Sequence, residues 1–303
     1  MDFTRFDLEA EKLGCNILKD EAMRRHTTFK IGGPADRFLQ VENTAQLKSL
    51  LKILKEDKIP FFIGGNGSNL LVSDKGIRGV VLLLSRDFKA IRKIGDCEIC
   101  AGAGVSLVSL CAFARDNGLS GMEFAWGIPG TVGGAAYMNA GAYGGEMVQV
   151  VTKVRHVNTD GEAGEYAGES LKFGYRKSAY TNSNKIITDI YIKLEKADKA
   201  EISAKMDELM AKRKDKQPYD MPSAGSVFKR PEGAFAAALI EECGLKGLTV
   251  GGAQVSEKHS GFIINTGTAT CENVLNLIEI IKDKVKTQKG IMLECEVKMI
   301  GEK

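Results

Sequence analysis

Apolar positions recur along the chain at two spacings, and the changes between them mark out its elements. In NTAQLKSLLKILKEDK, residues 43–58, Leu47, Leu50, Leu51 and Leu54 fall on one stripe of a 3.6-residue repeat. Asn43 and Gln46 have the spacing of a capping box, which predicts a helix starting directly after Asn43. IPFFIGGNGSNLLVSD reads as strand, glycine loop, strand, and RGVVLLLS has the unbroken apolar run of a buried strand. SLVSLCAFARDNG returns to helical spacing, capped by Ser106 and closed by Gly118. Beyond Val150 the period shortens to two: VTKVRHVNTDGEAGEYA predicts a hairpin turning at Asp160-Gly161, and IITDIYIKLEK alternates as a half-buried strand.

KAEISAKMDELMAKRKDK then predicts a charged helix with Ile202, Met206, Leu209 and Met210 on one side. AFAAALIEECG and ENVLNLIEIIKDKVK predict two further helices, ended by a glycine or a lysine-rich turn. IMLECEVKMIG predicts a final strand, on which Leu293, Cys295 and Val297 face one way and Glu294, Glu296 and Lys298 the other. The mixed order of elements predicts a chain of helices and strands in three lobes, with a boundary at the charged helix.

Composition narrows the function. With 303 residues, 44% hydrophobic and 27% charged, the chain is long enough for several lobes around a cleft. No apolar run reaches the roughly 18 to 20 residues that span a bilayer, and the N-terminus lacks the basic-then-apolar build of a signal peptide. A cytoplasmic protein with no membrane partner is expected. A net charge of +3, with lysines spread among acids, argues against nucleic acid. The seven cysteines are expected to be reduced thiols. Cys97 and Cys100 lie three apart on a predicted strand, where they point to opposite faces, so no metal site is expected.

Two stretches have the composition of backbone cradles for phosphate oxygens: GGNGSNL at residues 64–70 and GIPGTVGGAAYMNAGAYGGE at 127–146, which holds seven glycines. Either alone is equally well explained by tight turns. Leu70 stands where a dinucleotide fingerprint needs its third glycine, and no phosphate-binding G-x-x-x-x-G-K-[ST] loop occurs. Two such loops in one lobe favour a dinucleotide.

These stretches, together with HTTFKIGGPAD, YRKSAY, KQPYDMPSAGSVFKRPEG and LECEVKMIG, run in order from His26 to Gly301. As a set they resemble the UDP-N-acetylenolpyruvoylglucosamine reductase family. The resemblance implies an α+β fold: an FAD-binding domain of the vanillyl-alcohol-oxidase type in two subdomains (1–84 and 85–200), then an α+β substrate-binding domain (201–303). It implies FAD held by Gly64, Asn66, Gly67, Ser68, Asn69 and Leu70 of the first loop and by Gly127, Thr131, Gly133, Gly134 and Asn139 of the second. β-Carbons at Gly130, Gly133 or Gly134 are expected to push backbone amides away from the cofactor.

The implied reaction reduces an enolpyruvyl ether of a UDP-sugar to a lactyl ether with NADPH, in two half-reactions. Arg176 is then the grip on the substrate carboxylate, Ser226 the proton donor, and Glu296 an acid that stabilises the enolate, its pKa raised by burial. Lys216, Gln217, Lys229 and His259 match positions lining the cleft for substrate or nicotinamide nucleotide, with Lys229 near enough in sequence to Ser226 to steady its alkoxide. From the residues alone, Arg176 reads as a surface arginine, Ser226 as a turn hydroxyl and Glu296 as part of a solvated strand face, and His259 reads equally as an exposed loop histidine. The chain resembles the shorter form of the family, without the segment whose tyrosine closes over substrate; Tyr180 and Tyr219 are the candidates for cover. A monomer or weak oligomer acting on small molecules is expected. An FAD-dependent oxidase of the same fold, or a non-catalytic UDP-sugar-binding module, are the rival readings.

Overall fold

A computed structural model describes residues 1–302. The chain divides into two compact units, neither continuous in sequence. The first comprises Met1–Lys19, Arg37–Gly65 and Gly79–Ala211, the second Asp20–Asp36, Asn66–Arg78 and Lys212–Lys303.

The first unit is built on a five-stranded antiparallel sheet in the order Ala163–Ala167, Val151–Asn158, Lys185–Lys193, Glu98–Gly102, Ile91–Lys93. The hairpin turns as predicted. Asn158 Oδ1 accepts the N–H groups of Asp160 and Glu162, each at 2.9 Å, and Gly161 takes φ +83°, where an L side chain would be strained. Phe61–Gly64 pairs in parallel with the strand Ile77–Leu84 over residues 80–83. The helix Thr44–Glu56 buries its predicted stripe, Leu47, Leu50, Leu51 and Leu54, against Leu82 and Ile99 in one core. Its cap differs in one bond. Asn43 accepts the Gln46 N–H at 2.9 Å, but the Gln46 side chain reaches back to the N–H of Glu42, at 2.6 Å, because its own amide also holds Leu13 O.

The second unit carries a four-stranded antiparallel sheet, Ser223–Ser226, Phe262–Asn265, Ala253–Val255, Thr249–Val250, with the helices Ala236–Glu242 and Cys271–Lys289. Val227, Ile240, Val274 and Leu277 form its core with Phe29, Ile31 and Leu71 from the two early segments. The long helix is started by Thr270 as N-cap and by Asp74, which accepts the N–H groups of Cys271 and Glu272 at 2.8 and 3.0 Å. An acid at this end complements the helix dipole.

One predicted element is shorter than its alternation suggests. Only Lys298–Ile300 form a strand, parallel to Leu70–Val72. Residues 291–297 form no continuous ladder because their backbone changes partners midway. Lys229 N–H bonds Glu294 O and Glu296 N–H bonds Val227 O, then Lys298 N–H bonds Asn69 O. No helix among the described residues is long and apolar enough to cross a membrane.

Candidate active site

In the first unit the two glycine stretches meet at Thr131. This threonine caps the helix Val132–Met138 by accepting the Gly134 N–H at 3.2 Å. A β-carbon on Gly65 would lie 2.9 Å from its Oγ1, and one on Gly134 3.3 Å away with no other atom near it. On Gly64 a β-carbon would find nothing closer than 3.7 Å. The junction is therefore bare backbone and one small hydroxyl, a surface that fits a flat ring and its diphosphate.

Other glycines of the same motifs answer to the chain itself. The Gly133 N–H bonds Ala103 O at 2.9 Å, and a β-carbon there would sit 2.7 Å from Ala103 Cβ. The helix and the turn that follows the strand Glu98–Gly102 approach so closely at this point that only glycine fits, so packing accounts for Gly133. Gly67, in the second unit, has φ +63° and would drive a β-carbon to 2.3 Å from His26 O. Gly127 stands at φ +83°.

Asn139 ends the helix in the left-handed conformation, φ 49° and ψ 57°, with only 1% of its surface exposed. Its Nδ2 donates to Glu146 Oε2 at 2.9 Å and to Gly174 O at 3.1 Å, and its Oδ1 accepts the Val148 N–H at 2.9 Å. Both amide hydrogens are thus spent on protein. Gly174 opens the turn that presents Arg176: Gly174 and Lys177 exchange backbone hydrogen bonds of 3.0 and 3.2 Å around Tyr175 and Arg176. Arg176 sits at φ +54°, a conformation that costs a non-glycine residue about 1 kcal/mol or more. Its guanidinium lies 5.2 Å from the centre of the exposed Tyr175 ring.

In the second unit, Ser226 closes the edge strand of the sheet just beyond Gly225, which takes φ +74° at a break in register. Its Oγ donates to Phe228 O at 3.1 Å. Glu296 is brought alongside by the 2.7 Å bond from its N–H to Val227 O, and Asn69 Nδ2 reaches Glu296 O at 3.3 Å. A hydroxyl and a carboxyl far apart in sequence are therefore fixed to adjacent backbone, with Asn69 and Leu70 beside them. Glu296 is half-buried, which the alternation of the segment did not indicate.

Lys229 forms an ion pair with Glu294, so its ammonium is committed to a carboxylate. Lys216 is exposed at the end of its helix, and Gln217 accepts a 3.2 Å bond from Arg213. His259 is not an exposed loop residue. It is half-buried edge-on against Phe262, and its Nδ1 accepts the Gly261 N–H at 3.1 Å, leaving Nε2 to carry the proton. Burial lowers its pKa from the ordinary 6.5.

Of the two tyrosines considered as cover, Tyr180 is excluded. It is fully buried in the first unit, donating to Val154 O at 3.0 Å and sharing a 2.9 Å hydrogen bond with His156. Tyr219 is 49% exposed in the second unit. The part played by Asn139 at the arginine turn was not apparent from sequence; its only signal is an asparagine directly after a helix, where αL is common.

Residues 35–165 match the family described as FAD binding domain, and residues 217–300 match UDP-N-acetylenolpyruvoylglucosamine reductase, C-terminal domain. The UDP-N-acetylenolpyruvoylglucosamine reductase of Alkaliphilus oremlandii is 50% identical over 286 residues, 94% of each chain. That of Caldanaerobacter subterraneus subsp. tengcongensis is 51% identical over 284 residues, 94% of this chain and 93% of the relative. The crystal structure of the reductase from Thermus caldophilus superposes with a TM-score of 0.80 at 38% identity, over 94% of this chain and 98% of that one. The α+β fold with a vanillyl-alcohol-oxidase-type FAD-binding domain is borne out by these matches. With half of its residues shared across nearly the full length of such relatives, the chain belongs to the UDP-N-acetylenolpyruvoylglucosamine reductase family.

Proposed function

We propose that the protein is an FAD-dependent oxidoreductase that uses NADPH to reduce UDP-N-acetylglucosamine enolpyruvate to UDP-N-acetylmuramate, a step of peptidoglycan precursor synthesis. The observation that carries the chemistry is the placement of Ser226 and Glu296 on adjacent backbone in the second unit. FAD, when bound, supplies the two-electron relay that lets NADPH and the sugar substrate react in turn.

Gly64, Gly65, Thr131 and Gly134 offer it bare backbone in the first unit, and Asn66, Gly67, Ser68, Asn69 and Leu70 continue the first loop in the second. Arg176 holds the substrate carboxylate with a planar, always-charged fork. As hydride reaches the terminal carbon of the double bond, the electron pair moves onto the neighbouring carbon and into that carboxylate. Ser226 then gives its Oγ proton, now shared with Phe228 O, to that neighbouring carbon, and regains one from solvent. Glu296 stabilises the enolate at the same point. Lys216, Gln217 and His259 line the nucleotide path, with His259 a neutral Nε2–H donor at pH 7. Residues 1–84 and 85–200 serve the cofactor and 201–303 the substrate, in a cytoplasmic monomer or weak oligomer.

Anaerobic half-reactions test this reading. NADPH should bleach the yellow protein, and the enolpyruvyl substrate should restore its colour. Glu296→Gln should spare the first step and slow the second by about 100-fold or more, as loss of one preorganised group does. Equal loss in both steps removes Glu296 from this role. Recovery of colour only in air would identify an oxidase.

A further inference from the structure

We propose that Asn139, clamped by Glu146, is a positioning residue that sets the conformation of the Arg176 turn; this rests on the reading above that Arg176 holds the substrate carboxylate. The turn does not hold itself cheaply. It is closed by the two bonds between Gly174 and Lys177, and its arginine is in the left-handed region. The Gly174 carbonyl, which anchors the turn, accepts Asn139 Nδ2 as well as the Lys177 N–H. Asn139 is itself immobilised, buried among three hydrogen bonds that include the Glu146 carboxylate. Rotating its amide would strand buried polar groups at about 1–3 kcal/mol each.

A second set of bonds ties the far side of the turn to the same helix. Ser178 Oγ and Thr181 Oγ1 donate to Tyr137 O at 2.7 and 3.2 Å. The helix Val132–Met138 thus begins at the glycine junction around Thr131 and ends bolted to the arginine turn. At seven residues it is a rigid spacer about 10 Å long. Cradle and arginine-turn backbone are held at one separation by this piece of chain. Asn139 acts as its distal fastening, and not as a cofactor ligand, since both amide hydrogens are already used.

The test combines Asn139→Gly, which keeps the left-handed backbone free while removing the clamp, with Arg176→Ala in a double-mutant cycle. Both half-reactions, FAD content and melting temperature are measured on the holoenzyme. In the Arg176 background, Asn139→Gly should slow reoxidation by substrate about 100-fold, the scale of a 1 Å misplacement, with flavin reduction and FAD content unchanged. On top of Arg176→Ala it should add nothing, because the fastening then has nothing left to position. Additive losses, equal slowing of both steps, or loss of FAD from a folded protein each overturn the clamp. If Asn139→Gly does not fold, Glu146→Gln, which keeps the shape but weakens the bond, carries the same cycle with about a 10-fold effect expected. An Arg176→Ala enzyme as fast as wild type defeats the carboxylate role itself and the clamp with it. A slow Arg176→Ala beside a normal Asn139→Gly defeats the clamp alone.

Discussion

Two neighbouring glycines, Gly133 and Gly134, allow packing to be separated from cofactor binding with the same substitution. At Gly133 an alanine methyl would lie 2.7 Å from Ala103 Cβ and 2.9 Å from Ala103 O, atoms of a strand-end backbone that cannot turn aside. Overpacking of this kind costs about 1–3 kcal/mol in the FAD-free protein. At Gly134 the methyl meets only Thr131 Oγ1 at 3.3 Å, and the position faces outward. Alanine gains about 1 kcal/mol of helix propensity there, which offsets the few tenths of an ångström Thr131 must yield. The FAD-free Gly134→Ala protein should therefore melt close to wild type. Yet its methyl occupies the junction assigned to the cofactor. Displacing one hydrogen bond to a charged group removes about 1.5–3 kcal/mol, or roughly 10- to 100-fold in FAD affinity. Fluorescence titration of FAD into the stripped proteins, alongside their thermal melts, separates the two effects. If Gly134→Ala binds FAD as wild type does, the junction around Thr131 is not the cradle.

Two further outcomes are expected. Burial depresses the pKa of both His156 and His259 below the ordinary 6.5, so the unfolded chain takes up protons first; their contribution to stability is full above about 6.5 and lost as the pH falls below it. Denaturant midpoints should drop between pH 7 and 5, and His259→Gln should flatten part of that drop; an unchanged slope would exclude His259. Asp74→Ala should destabilise the second unit by about 1–2 kcal/mol, through the two amides it caps at the start of the helix Cys271–Lys289, and a urea midpoint equal to wild type would contradict this.

Local periodicity carried the helices, because the stripe of Leu47, Leu50, Leu51 and Leu54 is buried by the helix that presents it. The hairpin at Gly161 was legible for the same reason: its turn is closed by Asn158, a residue of the turn itself. What sequence could not give depends on distant partners. The alternation of residues 293–298 looks like one strand, but Val227 takes one part and Asn69 the next. Gly67 was visible as a special position, while the reason for it, the carbonyl of His26, lies forty-one residues earlier. Tyr180 gave no sign of burial, since its hydroxyl is satisfied by Val154 and His156 across the sheet. The left-handed backbone of Arg176 has no signature in a Tyr-Arg-Lys triplet.

The parallel pairing of Leu70–Val72 with Lys298–Ile300 has a consequence for biosynthesis. A ribosome that has released the first 211 residues has delivered every segment of the first unit, but only two short pieces of the second. Phe29, Ile31 and Leu71 then have no core to enter until the remaining segment emerges. At about 5–20 residues per second, that leaves several seconds in which sticky early segments dangle beside a finished neighbour. This interval is where a chaperone would grip the nascent polypeptide and a protease would nick it.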